Sequence, residues 1–224
     1  MIRSLLILLA FGVASAAGRT PCAASPETSH GPVLHLRLYN LANVPAPTLD
    51  QAISLAESIF DRAGVRTCWE HGSSDSEEAH FTDMTGASPG QHLQVDARDY
   101  LAVKIMRGEP GNAFPGALGF ALPFARRGPH ALVFYDRVET TSASAPASLS
   151  EILGPALAHE AGHALLESSE HSQFGLMKSR WGKADFQKAA MGALEFTPAE
   201  ARVLREHARK RMTPAIAARG ASLP

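Results

Sequence analysis

Two histidines and a glutamate stand where a chain normally buries apolar side chains. Leu149, Ile152, Leu153, Ala156 and Leu157 form an apolar stripe that runs directly into His159, Glu160 and His163. Apolar residues in that pattern mark a helix face turned towards a core. His159 and His163 are four apart, so both imidazoles leave the same side of that helix. Any fold for this chain must bury the face and give each ring a partner. An unpartnered polar group in an apolar setting costs on the order of 1–3 kcal/mol.

A lone histidine on such a face reads as a core residue with a satisfied ring. The pair with Glu160 between them, His-Glu-Ala-Gly-His over 159–163, reads as a metal site. Neutral imidazole binds zinc at about 2.0–2.1 Å, and a catalytic zinc takes three protein ligands and keeps a fourth position for water. Glu160, next to the first ligand, is placed to act as general base on that water. One Zn2+ ion is therefore the expected cofactor.

The third ligand needs its own argument. Glu167 continues the four-residue spacing but lies roughly 12 Å beyond His159 along a straight helix, too far to share one ion comfortably. Ser168 and Ser169 allow the chain to turn, and His171 is the first good nitrogen ligand after the turn. Glu170 reads as a solvated loop charge. A competing reading takes the third ligand from a later helix, with Glu195 or Glu200 as candidates. Glu200 already belongs to a capping box, Thr197-Pro198-Ala199-Glu200, which weakens it.

Elsewhere the pattern is that of a mixed α+β chain. Leu34, Leu36 and Leu38 alternate with polar residues, as in a half-buried strand over 33–40. Thr48 and Gln51 suggest a capping box opening a helix of Leu49, Ala52, Ile53, Ala56, Ile59, Phe60 and Ala63, stopped by Gly64. A strand is expected at Val65 to Glu70, then a polar excursion over 71–98. Three further strands are expected at Tyr100 to Met106, Leu118 to Leu122 and Ala131 to Tyr135. A loop at about 140–148 leads into the histidine helix, whose start Pro155 obscures. A last helix runs from Thr197 to about Lys210. Its basic end, Arg205, Arg209, Lys210 and Arg211, reads as a solvated face.

The N-terminus carries a targeting signal. Arg3, the apolar run Leu5 to Val13 and the small residues Ala14-Ser15-Ala16 have the order of a secretory signal peptide over 1–16, followed by an extension over 17–32. Secretion or periplasmic export is expected, without stable membrane insertion after cleavage. The two cysteines, Cys22 and Cys68, then admit a bridge pinning the mature N-terminus. The other reading leaves Cys68 as a small buried hydrophobe in a strand. A formal net charge of −1 lacks the excess of Lys and Arg that phosphate binding requires, so nucleic acid is not an expected partner.

Taken together, HEAGHALLESSEHS followed by Gly175-Leu176-Met177 resembles the metzincin metallopeptidases, whose signature is HExxHxxGxxH followed by a turn with a methionine. More narrowly it is similar to small secreted bacterial zincins. The resemblance spans most of residues 33–211. It implies a zincin-like α+β domain over 33–212, with a flexible tail over 213–224. That domain would have a mixed, twisted sheet of about five strands, a backing helix, an active-site helix and a C-terminal helix. It also implies a secreted zinc metalloendopeptidase, with His159, His163 and His171 on zinc, Glu160 as base and Met177 below the metal. A peptide or protein substrate would pair with the edge strand at Gly119, Phe120 and Ala121. This chain departs from the family in the interval from His163 to His171, which is longer by two residues and lacks the usual glycine. A non-catalytic alternative is a secreted binding module that zinc merely stabilises; Glu160 argues against it, since a structural site has no use for a base. A serine hydrolase is not supported, because no GxSxG elbow occurs.

Overall fold

The computed structural model describes residues 33–72, 100–108, 116–125 and 129–220, with side chains as far as Arg211. The proposed signal peptide and extension, Cys22, and most of the 71–98 excursion lie outside the described residues. So do the last four residues of the proposed tail, 221–224.

Strand β1 (Val33–Asn40), helix α1 (Ala46–Arg62) and strand β2 (Arg66–His71) form a parallel strand-helix-strand unit. They are followed by β3 (Leu101–Met106), β4 (Gly119–Leu122) and β5 (His130–Phe134). Helices α2 (Tyr135–Ser142), α3 (Leu149–Leu166), α4 (Lys183–Ala190) and α5 (Pro198–Gly220) complete the chain. The strands form one sheet in the order β2-β1-β3-β5-β4. All neighbours are parallel except β4, which runs antiparallel to β5 at the edge. The expected α+β architecture with a mixed five-stranded sheet is present.

Alternation on the strands decides which face carries the helices. Leu36 pairs with Leu101, Leu38 and Ala131 both pair with Val103, and Ile105 pairs with Val133. All of these side chains are buried in one cluster with Leu49, Ile53, Ile59 and Phe60 of α1 and Ile152, Leu153 and Leu157 of α3. Side chains two apart on a strand share a face, so this register aligns the apolar positions of neighbouring strands against the two helices. Helix α3 is thereby sandwiched in the core and is buried along nearly its whole length, from Ser150 to Leu165.

Several boundaries differ from expectation for local reasons. Helix α1 opens at Ala46, one turn ahead of the proposed Thr48–Gln51 box. Pro47 suits a first turn, and Pro45 takes the cap position without a side-chain bond. The strand ending in Tyr135 stops at Phe134, and Tyr135 begins α2, which replaces the start of the expected loop. Helix α4 was not foreseen. Helix α5 continues to Gly220, past the expected end near Lys210 and through part of the segment proposed as a tail. Its basic end is not simply solvated: the Arg205 guanidinium donates to Ala63 O at 2.7 Å and that of Arg211 to Ala164 O at 3.4 Å. These cations satisfy the last carbonyls of α1 and α3. Among the described residues no helix is long and apolar enough to cross a membrane.

Candidate metal centre

Helix α3 is started by a capping box: the Glu151 amide donates to Ser148 Oγ, and the Ser148 amide donates to the Glu151 carboxylate at 2.7 Å. Pro155 lies a turn and a half further in, where its missing N–H deprives only one carbonyl of a helical donor. The helix then presents His159, Glu160 and His163 to the interior, each no more than 7% exposed. It ends at Glu167, which adopts the left-handed conformation with φ 54° and ψ 41°. The turn that the spacing demanded is therefore made by a non-glycine residue, one position before the serines.

Past this turn the chain doubles back and brings His171 to the pair. His163 Nε2 lies 3.1 Å from His159 Nε2 and 3.3 Å from His171 Nε2. Ligands at about 2.0–2.1 Å from a tetrahedral zinc are about 3.3–3.4 Å apart, so these separations match the corners of such a site. The tautomers follow from the outer nitrogens. His159 Nδ1 lies 2.8 Å from Leu176 O, and His163 Nδ1 lies 2.8 Å from Ser168 O. A carbonyl only accepts, so both Nδ1 atoms carry the proton and both Nε2 atoms present lone pairs. Two lone pairs at 3.1 Å repel unless an electrophile stands between them. The three histidines thus fit a divalent cation by donor chemistry as well as by distance. Burial favours the neutral, ligating form of all three. The His159 pKa is pushed down from 6.5 to about 3, first by desolvation and then by His163, and those of His163 and His171 are also lowered by desolvation.

The Glu160 carboxyl lies against the edge strand. A Cβ placed on Gly119 would lie 2.8 Å from Glu160 Cγ and 2.9 Å from its Oε1. The carboxyl therefore sits against the β4 backbone, in space that exists because residue 119 has no side chain. Desolvation pushes its pKa up from 4.5 to about 8.

Met177 is buried beneath the same helix. A Cβ on Gly162 would meet Met177 Sδ at 3.1 Å and Phe196 Cε1 at 2.8 Å, so the glycine before His163 lets the methionine and Phe196 close up on the helix. Of the remaining sequence candidates, Phe120 packs its ring at 5.9 Å from that of Phe134, and Gly119 to Ala121 form part of the edge strand. Among the described residues β4 pairs only with β5. Glu195 forms an ion pair with Arg62 at 2.6 Å. Glu200 closes the α5 capping box at Thr197 N and also accepts a hydrogen bond from Ser172 Oγ. Neither glutamate joins the histidine group. Glu170 is exposed, as expected of a loop charge. Cys68 is buried in β2 and disulfide-bonded, which removes the second reading of it, as a buried free thiol; its expected partner Cys22 lies outside the described residues.

Three features of the site escaped the sequence. The carbonyls of Leu176 and Ser168 that orient the rings belong to backbone, which carries no residue-type signal. Trp181 stands with its ring 5.8 Å from that of His159, edge to face, and donates its indole N–H to Leu176 O at 3.0 Å. The tie between Ser172 and Glu200 spans 28 residues of sequence.

No protein-family model matches the chain, and no curated protein matches it. Among solved structures it is similar to an archaemetzincin from Methanopyrus kandleri, at 16% identity and a TM-score of 0.49, over 82% of this chain and 98% of that one. A zinc-dependent peptidase from Methanocorpusculum labreanum matches at 12% identity and a TM-score of 0.48, over 75% of this chain and 98% of that one. Metalloproteinase-II from Bacteroides fragilis matches at 13% identity and a TM-score of 0.44, over 82% of this chain and 55% of that one.

Proposed function

We propose that this chain is an exported zinc-dependent peptidase of the metzincin type, with His159, His163 and His171 as the protein ligands of a single zinc and Glu160 as general base. The observation that carries the reading is the convergence of the three Nε2 atoms, with the lone pairs of His159 and His163 exposed and Glu160 on the helix that carries those two. When bound, zinc supplies a Lewis acid for the scissile carbonyl and lowers the pKa of water.

The chain's own groups supply the rest. Leu176 O and Ser168 O hold two imidazoles in the tautomer that exposes Nε2. Burial raises the proton affinity of Glu160 in the metal-free chain, and a nearby dication would favour its ionised form, the state that takes a proton from water and passes it to the departing amine. An extended substrate pairing with the outer edge of β4 would run past that carboxylate, with Gly119, Phe120 and Ala121 contributing backbone groups. Backbone pairing reads peptide bonds rather than side chains, so an endopeptidase of broad sequence tolerance fits this edge. The alternative with a glutamate as third ligand loses support, since Glu195 and Glu200 are engaged elsewhere.

Elemental analysis of the purified protein, paired with hydrolysis of an unfolded protein substrate, tests the reading. We expect about one zinc per chain and activity abolished by a chelator. Glu160→Gln should retain the zinc and lose roughly 10²–10⁴-fold in rate. Absence of zinc, or undiminished hydrolysis by that variant, would overturn the assignment.

A further inference from the structure

His171 differs from the other two histidines. It is exposed, and it stands on the loop after α3 instead of on the helix. The inner rings are each fixed by a carbonyl on Nδ1, whereas among the described residues no such bond forms at His171 Nδ1. Its orientation must come from the backbone that carries it. That backbone is held at the next residue in two ways. The Ser172 amide donates to Met177 O at 2.8 Å, joining the two ends of the loop, and Ser172 Oγ donates to the Glu200 carboxylate.

Glu200 is itself immobilised. One carboxylate oxygen accepts from the Thr197 amide at 2.7 Å, the Thr197 side chain accepts from the Glu200 amide at 3.3 Å, and α5 is packed into the core through Leu204 and Ala208. The second oxygen reaches Ser172. A capping box uses only one oxygen of its glutamate, and here the spare one is spent across the fold, on the residue adjoining the exposed histidine.

We propose that Ser172 and Glu200 form a positioning pair for the third zinc ligand, in which the first turn of α5 fixes the His171 loop so that the ring faces His159 and His163. The inference rests on the zinc reading above and deepens it: Glu200 is a residue that holds a ligand in place, not a ligand. A partner that orients a ligand typically contributes 10–100-fold to metal affinity.

The test compares zinc affinity, by competition with a chromophoric chelator, with the melting temperature of the zinc-free chain. Ser172→Ala removes the side-chain bond but keeps the backbone pairing and the capping box. It should weaken zinc binding about 10-fold or more and leave the zinc-free melting temperature near that of wild type. The visible spectrum of the cobalt-loaded variant should change as well, because the third imidazole no longer sits in a fixed place. Ser172→Thr, which restores a hydroxyl, should recover both readouts. Leu49→Ala, which truncates a buried side chain of α1, should do the reverse of Ser172→Ala, lowering the melting temperature while changing zinc affinity little. Unchanged affinity in Ser172→Ala, or losses of affinity that merely follow the melting temperature across the series, would overturn the proposal. A wild-type chain that takes up no zinc would instead overturn the metal reading on which it rests.

Discussion

At the scale of single residues, Glu167 is the point where the chain departs most from what local preference would choose. Its φ of 54° places a side chain in a conformation that favours glycine, because Cβ crowds the following carbonyl. The conformation is held by what surrounds it: the Ser168 amide donates back to His163 O at 3.3 Å, and Ser168 O accepts from His163 Nδ1. Replacing Glu167 with glycine should relieve the strain. The ion pair lost with Arg211, 3.8 Å apart and half in solvent, contributes little. Glu167→Gly is expected to stabilise the chain by about 1 kcal/mol, a rise in melting temperature of roughly 2–4 °C by calorimetry. Its zinc affinity should be unaltered. His171→Ala should act in the opposite sense, leaving the zinc-free melting temperature almost unchanged and sharply reducing bound zinc at equilibrium dialysis.

At the scale of elements, the contact between α3 and β4 is the most sensitive to a small change. A methyl at Gly119 would lie 2.2 Å from Leu132 O across the antiparallel pair, in addition to its overlap with Glu160. Gly119→Ala should therefore push the edge strand off β5 and displace the Glu160 carboxyl at once. A loss of at least 1–2 kcal/mol in denaturant unfolding, with a larger proportional loss of the proposed peptidase activity, is the expected result. Strand β1 was legible because one face is buried and one is not, and α3, buried nearly all round, was legible from its long apolar run. Leu34, Leu36 and Leu38 announce β1, and the apolar run into His159 announces α3. Helix α2 was hidden because Tyr135 to Ser142 is polar and rich in β-branched residues, burying only Tyr135 and Val138. Helix α4 was hidden for a similar reason, with Asp185 and Ala189 alone buried. A signal for the start of α3 was present in Ser148-Leu-Ser-Glu151, whereas the equivalent pattern at Thr48 and Gln51 proved false, because Pro45 and Pro47 set an earlier start. His159, Glu160 and His163 could be read from spacing alone. The approach of His171 Nε2 to that pair could not, since it depends on a turn at Glu167 and on a partner for Ser172 contributed by another helix.

For the whole molecule, three histidines gathered beside one another are a liability when no cation stands between them. Their folded pKa values lie below the ordinary value of 6.5, that of His159 at about 3, so the unfolded chain binds more protons than the folded one across that interval. The stability they allow is present above about pH 6.5 and is lost as pH falls towards 3. Glu160, raised from 4.5 to about 8, titrates in the opposite sense, so the test uses chelator-treated Glu160→Gln, whose urea midpoint should decline with acidification in this window. Added zinc should raise the midpoint at neutral pH by an amount that grows with the logarithm of its concentration. The Leu176 carbonyl offers a way to watch this happen. It accepts from both His159 Nδ1 and the Trp181 indole, so a change in charge on the histidine is felt by the chromophore that shares its acceptor. The other tryptophan, Trp69, lies on β2 at the far edge of the sheet and bonds to Thr67. The two tryptophans thus form an unlabelled optical gauge of the proposed site: in intrinsic fluorescence the Trp181 signal should move on zinc addition and that of Trp69 should stay still.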